Sequence, residues 1–189
     1  MQEPRRIAIM CGSDSDLWQF VPGLEYLQVL EKKGLVTLLG IDPVSIHRRT
    51  LTALSILFEY ARMPIHQRPH FIITAAGWAN HLSGCTDAFL RYTLADESIV
   101  VIAVAMEDPK DYKHTVAAIT STSEVPGIQA IHTNDAGKAL VGSEGVLWAC
   151  GYAAHGQFPT LKAKTPPPYR RLKLVEALTT GRKQLASKA

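Results

Sequence analysis

The sequence predicts an α/β protein, a central parallel sheet doubly wound by helices. Short, wholly apolar runs recur along the chain, each is followed by a stretch with apolar residues at helical spacing, and clusters of Gly, Ser, Asp or Pro separate the two. Helices alternating with fully apolar strands make a parallel sheet the natural architecture. Residues 6–11 are the first predicted strand, and Gly12-Ser13-Asp14-Ser15-Asp16 after them reads as a loop and helix cap. A helix over 16–33 and a second strand over 35–41 follow. Leu51, Leu54, Leu57, Phe58 and Ala61 recur at helical spacing within a helix predicted over 48–62. Residues 70–76 are a third strand, 81–94 a third helix, 99–105 a fourth strand and 112–120 a short helix. Pro126-Gly127 precedes an expected fifth strand over 128–132. A long helix is expected over 135–155, carrying Gly137, Gly142, Gly145 and Gly151. Such glycines weaken an isolated helix, so they predict close approach of another backbone. Pro159 and prolines 166–168 mark a stiff connector, and 169–186 a final helix. The expected organisation is one α/β domain over 1–158, with a connector and basic helix over 159–189.

The 189 residues are 47% hydrophobic and 20% charged, which suits one domain with a full core and excludes wholesale disorder. No apolar run reaches the ~18 residues of a membrane span. The opening residues show no small-residue cleavage site, so a secretory signal is not expected and a cytoplasmic location is. Cys11, Cys85 and Cys150 are too widely spaced for a disulfide framework or a CxxC metal site. His66, His70, His114, His132 and His155 show no metal-ligand spacing, and no bound metal is expected. GxxxxGK[ST], GxGxxG and GxSxG are all missing, which removes support for ATP hydrolysis, ordinary nicotinamide chemistry and triad hydrolysis. Residues 1–159 carry 12 Lys and Arg against 16 Asp and Glu, whereas 160–189 carry 8 against one. A basic tail suits nucleic acid or an anionic membrane. Here Leu172, Leu174, Val175, Leu178 and Leu185 interrupt it and the body is acidic. Docking on its own or a neighbouring subunit is the expectation, with neither nucleic acid nor membrane as partner.

In open α/β sheets ligands sit beyond the carboxyl ends of the strands, so the loops after strands one to three carry the interest. In the first, the hydroxyls of Ser13 and Ser15, backbone N–H groups and a helix N-terminus suit a phosphate and a polyol; a plain N-cap is the other reading. Asp14-x-Asp16 lies two residues beyond the strand end and is followed by Leu17, unlike the aspartyl-phosphate phosphatases. The second loop is Val44-Ser45-Ile46-His47-Arg48-Arg49-Thr50, where an imidazole flanked by guanidinium groups is a candidate proton acceptor. Arg48 offers a planar fork to a phosphate. The third loop runs from Ala76-Gly77-Trp78-Ala79 through Asn80-His81-Leu82-Ser83-Gly84 to Asp87. Its small residues let backbone approach a planar ligand, and Asn80 or His81 can bond the ligand's edge. Equally, Trp78 can be a packing residue, and Asn80 or Ser83 a helix cap.

Taken together, the three loops resemble the phosphoribosylaminoimidazole carboxylase (PurE) family of purine biosynthesis. Its motifs are G-S-x-S-D, S-A-H-[RK] and a Gly/Ala-rich loop ending L-[PS]-G. The matching residues are Gly12 to Asp16, Ser45-Ile46-His47-Arg48, and Ala76-Gly77 through Leu82-Ser83-Gly84. Val125-Pro126-Gly127-Ile128 is similar to the family's M-P-x-G-[IV], and the resemblance spans about residues 6–155. It implies a flavodoxin-like three-layer α/β/α fold with a C-terminal helical extension. It also implies a ribonucleotide substrate, CO2 or bicarbonate as co-substrate, no cofactor, and a homo-tetramer or octamer.

One branch of the family moves a carboxylate from the exocyclic nitrogen of N5-carboxyaminoimidazole ribonucleotide to ring carbon C4. The other carboxylates 5-aminoimidazole ribonucleotide (AIR) directly with CO2. The third loop resembles A-G-x-S-N-x-L-S-G-x-x-D of the direct branch, whereas His81 and Arg48 are similar to the mutases. Asn80 replaces a small apolar residue of the mutases, and Ser83 replaces a Pro and so frees a backbone N–H. Departures from the family are Ile46 for Ala, Ala79 for Ser, Trp78 beside the ligand loop, and no Pro after His47-Arg48-Arg49-Thr50. The resemblance implies Ser15, Ser45 and Arg48 on the phosphate, Ser13 and Asp16 beside Gly12 on the ribose, and His47 as the base that takes the C4 proton. Ala76, Gly77, Asn80, His81 and Leu82 surround the base and carboxylate. The alternatives are the mutase reaction, carboxylation of another nucleotide, and a noncatalytic phospho-ligand-binding or regulatory module on the same fold.

Overall fold

Residues 3–188 are described by the computed structural model. The apolar run after Arg5 is buried along its whole length, as a strand in mid-sheet must be. This strand, β1 (Arg5–Cys11), pairs in parallel with β2 (Val36–Pro43) on one side and β3 (Phe71–Ala76) on the other. β4 (Val100–Ala105) continues the parallel sheet, in the order β2-β1-β3-β4. Between Ile7 and Ala8 the register with β2 slips by one residue, leaving Leu39 as the extra residue of a bulge.

The helices are α1 (Val21–Lys32), α2 (Thr50–Arg62), α3 (His81–Ala88), α4 (Tyr112–Ser123), α5 (Gly142–His155) and α6 (Leu174–Ala186). Both sheet faces are covered. Leu27 and Leu30 of α1 pack with Val146, Ala149 and Cys150 of α5 against Ile7, Ile9 and Ile102. On the other face Ala53 and Leu57 of α2 and Leu82 of α3 meet Met10, Ile72 and Val101. Each fully buried Ile or Leu stabilises by roughly 1.5–3 kcal/mol. The expected α/β class and parallel sheet are therefore present.

Several elements differ from expectation. The segment 16–33 is two pieces, a 3-10 stretch over Asp14–Phe20 and then α1. Pro22 lies in the first turn of α1, and its ring is tolerated only there, so the α-helix has to begin at that point. The segment 81–94 also divides, since α3 ends at Ala88 and a wider π turn occupies Phe89–Thr93.

The fifth strand expected over 128–132 is not formed among the described residues. Ile131 bridges Ile102 and Val141 bridges Ala105, both in parallel, so two short segments share the edge of β4. Between them Asn134 closes a tight turn, its Oδ1 accepting the N–H groups of Ala136 at 3.0 Å and Lys138 at 2.9 Å. Residues 135–141 are thereby committed to a turn and a bridge, and α5 starts only at Gly142. The φ of Gly142 is +55°, and a Cβ there would lie 2.7 Å from the Glu107 carboxylate. A Cβ on Gly145 would lie 2.7 Å from the Leu140 backbone, so close approach occurs, within the chain itself.

The tail first straps the amino ends of the strands. Phe158 stacks on Phe71 at 5.1 Å, with the Arg5 guanidinium 4.1 Å over its ring. Leu161 is buried, Gln129 exchanges two side-chain hydrogen bonds with the Lys162 backbone, and Lys164 N–H donates to the Arg91 carbonyl. The connector thus keeps contact with the body as far as Lys164. The final helix begins at Leu174 rather than 169, where Glu176 in its first turn caps the Lys173 N–H. No residue of α6 is buried. No described helix is long and apolar enough to cross a membrane.

Candidate functional site

The carboxyl ends of the four parallel strands share one rim, and the loops that leave them enclose a cavity of about 820 Å³. At the end of β1 the Gly12 N–H donates to Ala75 O at 2.8 Å, and a Cβ on Gly12 would fall 2.8 Å from that of Ala76. Only glycine lets these two loops touch. Ser13 caps the 3-10 stretch through a 3.3 Å bond from Ser15 N–H, and the two hydroxyls lie 2.8 Å apart. Burial pushes the Cys11 thiol up to about 11, so it stays protonated and donates to Ser13 O at 2.7 Å. Gly12, Ser13, Ser15 and Asp16 all line the cavity.

In the second loop buried Val44 and Ile46 alternate with Ser45 and exposed His47, the apolar pair rooting the loop in the core. Ser45 Oγ accepts the Arg48 N–H at 3.4 Å. Ser45, His47 and Arg48 face the cavity beside Ile46. His47 Nε2 lies 2.7 Å from His81 Nδ1, with the rings edge-on at 75°.

Ala76, Gly77 and Leu82 of the third loop line the cavity as expected. Trp78, which also lines it, is 66% exposed with a φ of +60°, a left-handed backbone that is costly for a bulky residue. Its ring stacks on His114 at 3.9 Å, so it is a rim residue and not a core one. Asn80 does not reach the cavity. It is fully buried, its Nδ2 donates to Val104 O at 2.9 Å, and its Oδ1 accepts from Ser83 N–H at 3.2 Å and Ser83 Oγ at 2.8 Å. That is the helix-cap reading, and the backbone N–H that Ser83 frees is consumed by Asn80. His81 is exposed and meets the site through His47.

Sequence reasoning passed over the loop after β4, although the rule that selected the first three loops points equally to it. Glu107, Asp108, Pro109 and Lys110 form a wall of the cavity. Fully buried Gln19 clamps this loop, donating to Glu107 O at 3.0 Å and accepting from Glu107 N–H at 2.9 Å. The Asp108 carboxylate lies 2.7 Å from His114 Nδ1 and accepts the Lys110 N–H at 2.9 Å; these bonds hold its carboxyl below the usual range. Burial pushes Asp16 up, and the charges of Asp108 and Asp14 add to this against the hydrogen bond from Ser15. Trp18, 53% exposed, is a second rim tryptophan that the sequence reading did not select. Among the described residues no group of three or more His, Cys, Asp or Glu side chains gathers as metal ligands.

The arrangement brings an imidazole, three serine hydroxyls, a guanidinium and a glycine-lined backbone edge to one cavity, with the carboxylates of Glu107 and Asp108 on the loop after β4. Compared with known protein families and with curated proteins, the chain matches none.

Proposed function

We propose that the protein is a flavodoxin-like, doubly wound enzyme that carboxylates AIR at C4 with CO2. The observation that carries the reading is the convergence of His47, Arg48, Ser45, Ser13, Ser15 and Asp16 from separate loops on one cavity. Ser15, Ser45 and Arg48 bind the 5′-phosphate, helped by the N-terminus of α2, which has no side-chain cap. Ser13 and Asp16 take the ribose, and the Ala76-Gly77 backbone meets the planar base. C4 of the aminoimidazole is enamine-like and attacks CO2 unaided by a cofactor. The tetrahedral carbon then loses its proton to His47, which restores aromaticity. The enzyme acts in the cytoplasm as a homo-oligomer.

The direct reaction is preferred to the mutase on the resemblance of the loop from Asn80 to Asp87. Asn80 and Ser83 support it only through the shape of that loop, since their polar groups are spent on each other, on Val104 O and on Thr74. The test supplies AIR with bicarbonate and, separately, the N5-carboxylated nucleotide at matched concentration, following product absorbance. Turnover of AIR at modest bicarbonate is expected. Efficient turnover of the carbamate alone assigns the mutase reaction, and binding of both nucleotides without turnover assigns a binding module.

A further inference from the structure

We propose that His81 is the proton exit of this site, a positioning residue that receives from His47 the proton removed at C4 and hands it to water. The inference rests on the carboxylase reading above. His47 Nε2 and His81 Nδ1 are 2.7 Å apart, a distance at which one imidazole donates to the other. The two rings are placed for different tasks. His47 lines the cavity, whereas His81 lies behind it, exposed, as the first residue of α3. The Asn80 cap and buried Leu82 and Ser83 fix the backbone of His81 and leave its ring in water. Among the described residues neither ring is hydrogen-bonded to a carboxylate, so nothing traps the proton between them.

Carboxylation by CO2 leaves a proton on His47 in every turnover, and the contact with His81 gives it a direct path to discharge. C4 donates its electron pair to the carbon of CO2, forming the C–C bond, and one C=O pair moves onto oxygen. The C4–H bond then breaks, its electrons return to the ring, and the proton goes to Nδ1 of His47. One proton is released per product. In the mutase reaction the proton lost at C4 is matched by one gained on the exocyclic nitrogen, and no net release occurs. Here the Nε2–H of His47 passes its proton to His81 Nδ1, and the Nε2–H of His81 is lost to water. Both rings are exposed and exchange their N–H protons with solvent between turnovers.

The experiment compares wild type, His81→Ala and His81→Gln with AIR and bicarbonate, in dilute buffer and with added imidazole, after circular dichroism confirms folding. His81→Ala should lower kcat roughly tenfold or more in dilute buffer, a share of the ~10²–10⁴ that general acid–base transfer supplies, with KM little changed. Added imidazole should restore most of the loss, and His81→Gln, which keeps a hydrogen bond but relays no proton, should stay slow. Full speed for His81→Ala in dilute buffer overturns the relay. So does a slow His81→Ala that ignores imidazole, or a fully active His81→Gln, because each marks a purely structural role. Wild type silent with AIR at every bicarbonate concentration overturns the carboxylase reading and the relay with it.

Discussion

The proposed reaction gives His47 and Arg48, adjacent in sequence, different tasks, and two substitutions separate them. His47→Asn retains a polar side chain at an exposed position, so folding and nucleotide binding should persist while turnover falls at least ~10²-fold, the lower range for a lost general base. Steady-state kinetics beside a binding titration check this, and near-normal turnover removes His47 from the mechanism. Arg48→Ala should weaken the ribonucleotide by roughly 1.5–3 kcal/mol, the value of a charge-assisted contact, and barely affect its dephosphorylated nucleoside. Calorimetry with both ligands decides, and equal losses would show that Arg48 does not read the phosphate. Most of these residues were legible because short polar side chains stand immediately after apolar strands, where a parallel sheet offers its carboxyl rim. Asn80 was legible only as a pair of alternatives. Whether a carboxamide caps a helix or meets a ligand depends on its distance to Val104 O, which no local pattern encodes. His81 was placed near the substrate by resemblance, and its contact with His47 joins residues 34 apart in sequence.

Elements were legible where one apolar period runs unbroken, as in β1, β3, β4 and α2, and became illegible where a single residue interrupts the period. Pro22 splits one predicted helix, and the Asn134 turn removes the first turns of another. The edge of β4 was read as a strand because Ile128 and Ile131 are apolar, yet the ladder there is shared by two segments that come together only in three dimensions. The start of α3 provides the test at this scale. Asn80→Ala should remove the bond to Val104 O, leave the Ser83 N–H buried without its partner and destabilise the protein by about 1–2 kcal/mol. Denaturant unfolding measures the loss. A change below about 0.5 kcal/mol, the range of ordinary surface substitutions, would mean that the cap does not hold the third loop.

Across the whole molecule charge divides between the body and the tail. The body over 1–159 is net acidic, and the last thirty residues hold eight cations against one Glu176. The first part of that tail is bound, with Leu161 buried and the Lys164 N–H on the Arg91 carbonyl. Beyond the prolines α6 buries none of its residues, and Leu174 and Val175 are each 74% exposed, with Leu185 at 72%. In the homo-oligomer proposed above, the cations of this arm, Arg170, Arg171 and Lys173 before α6 and Arg182 and Lys183 within it, would meet the net-acidic body of a second copy, and the exposed apolar residues of α6 would be covered there. Deleting residues 165–189 spares the strap and should leave unfolding of the body unchanged while lowering the mass of the assembly at least twofold by light scattering. Such docking would be partly ionic, so raising salt to ~1 M, where the Debye length falls to about 3 Å, should loosen the intact protein in the same direction. An intact chain that is monomeric at low salt refutes the assembly, and an unchanged assembly after the deletion assigns it to the body instead of to α6.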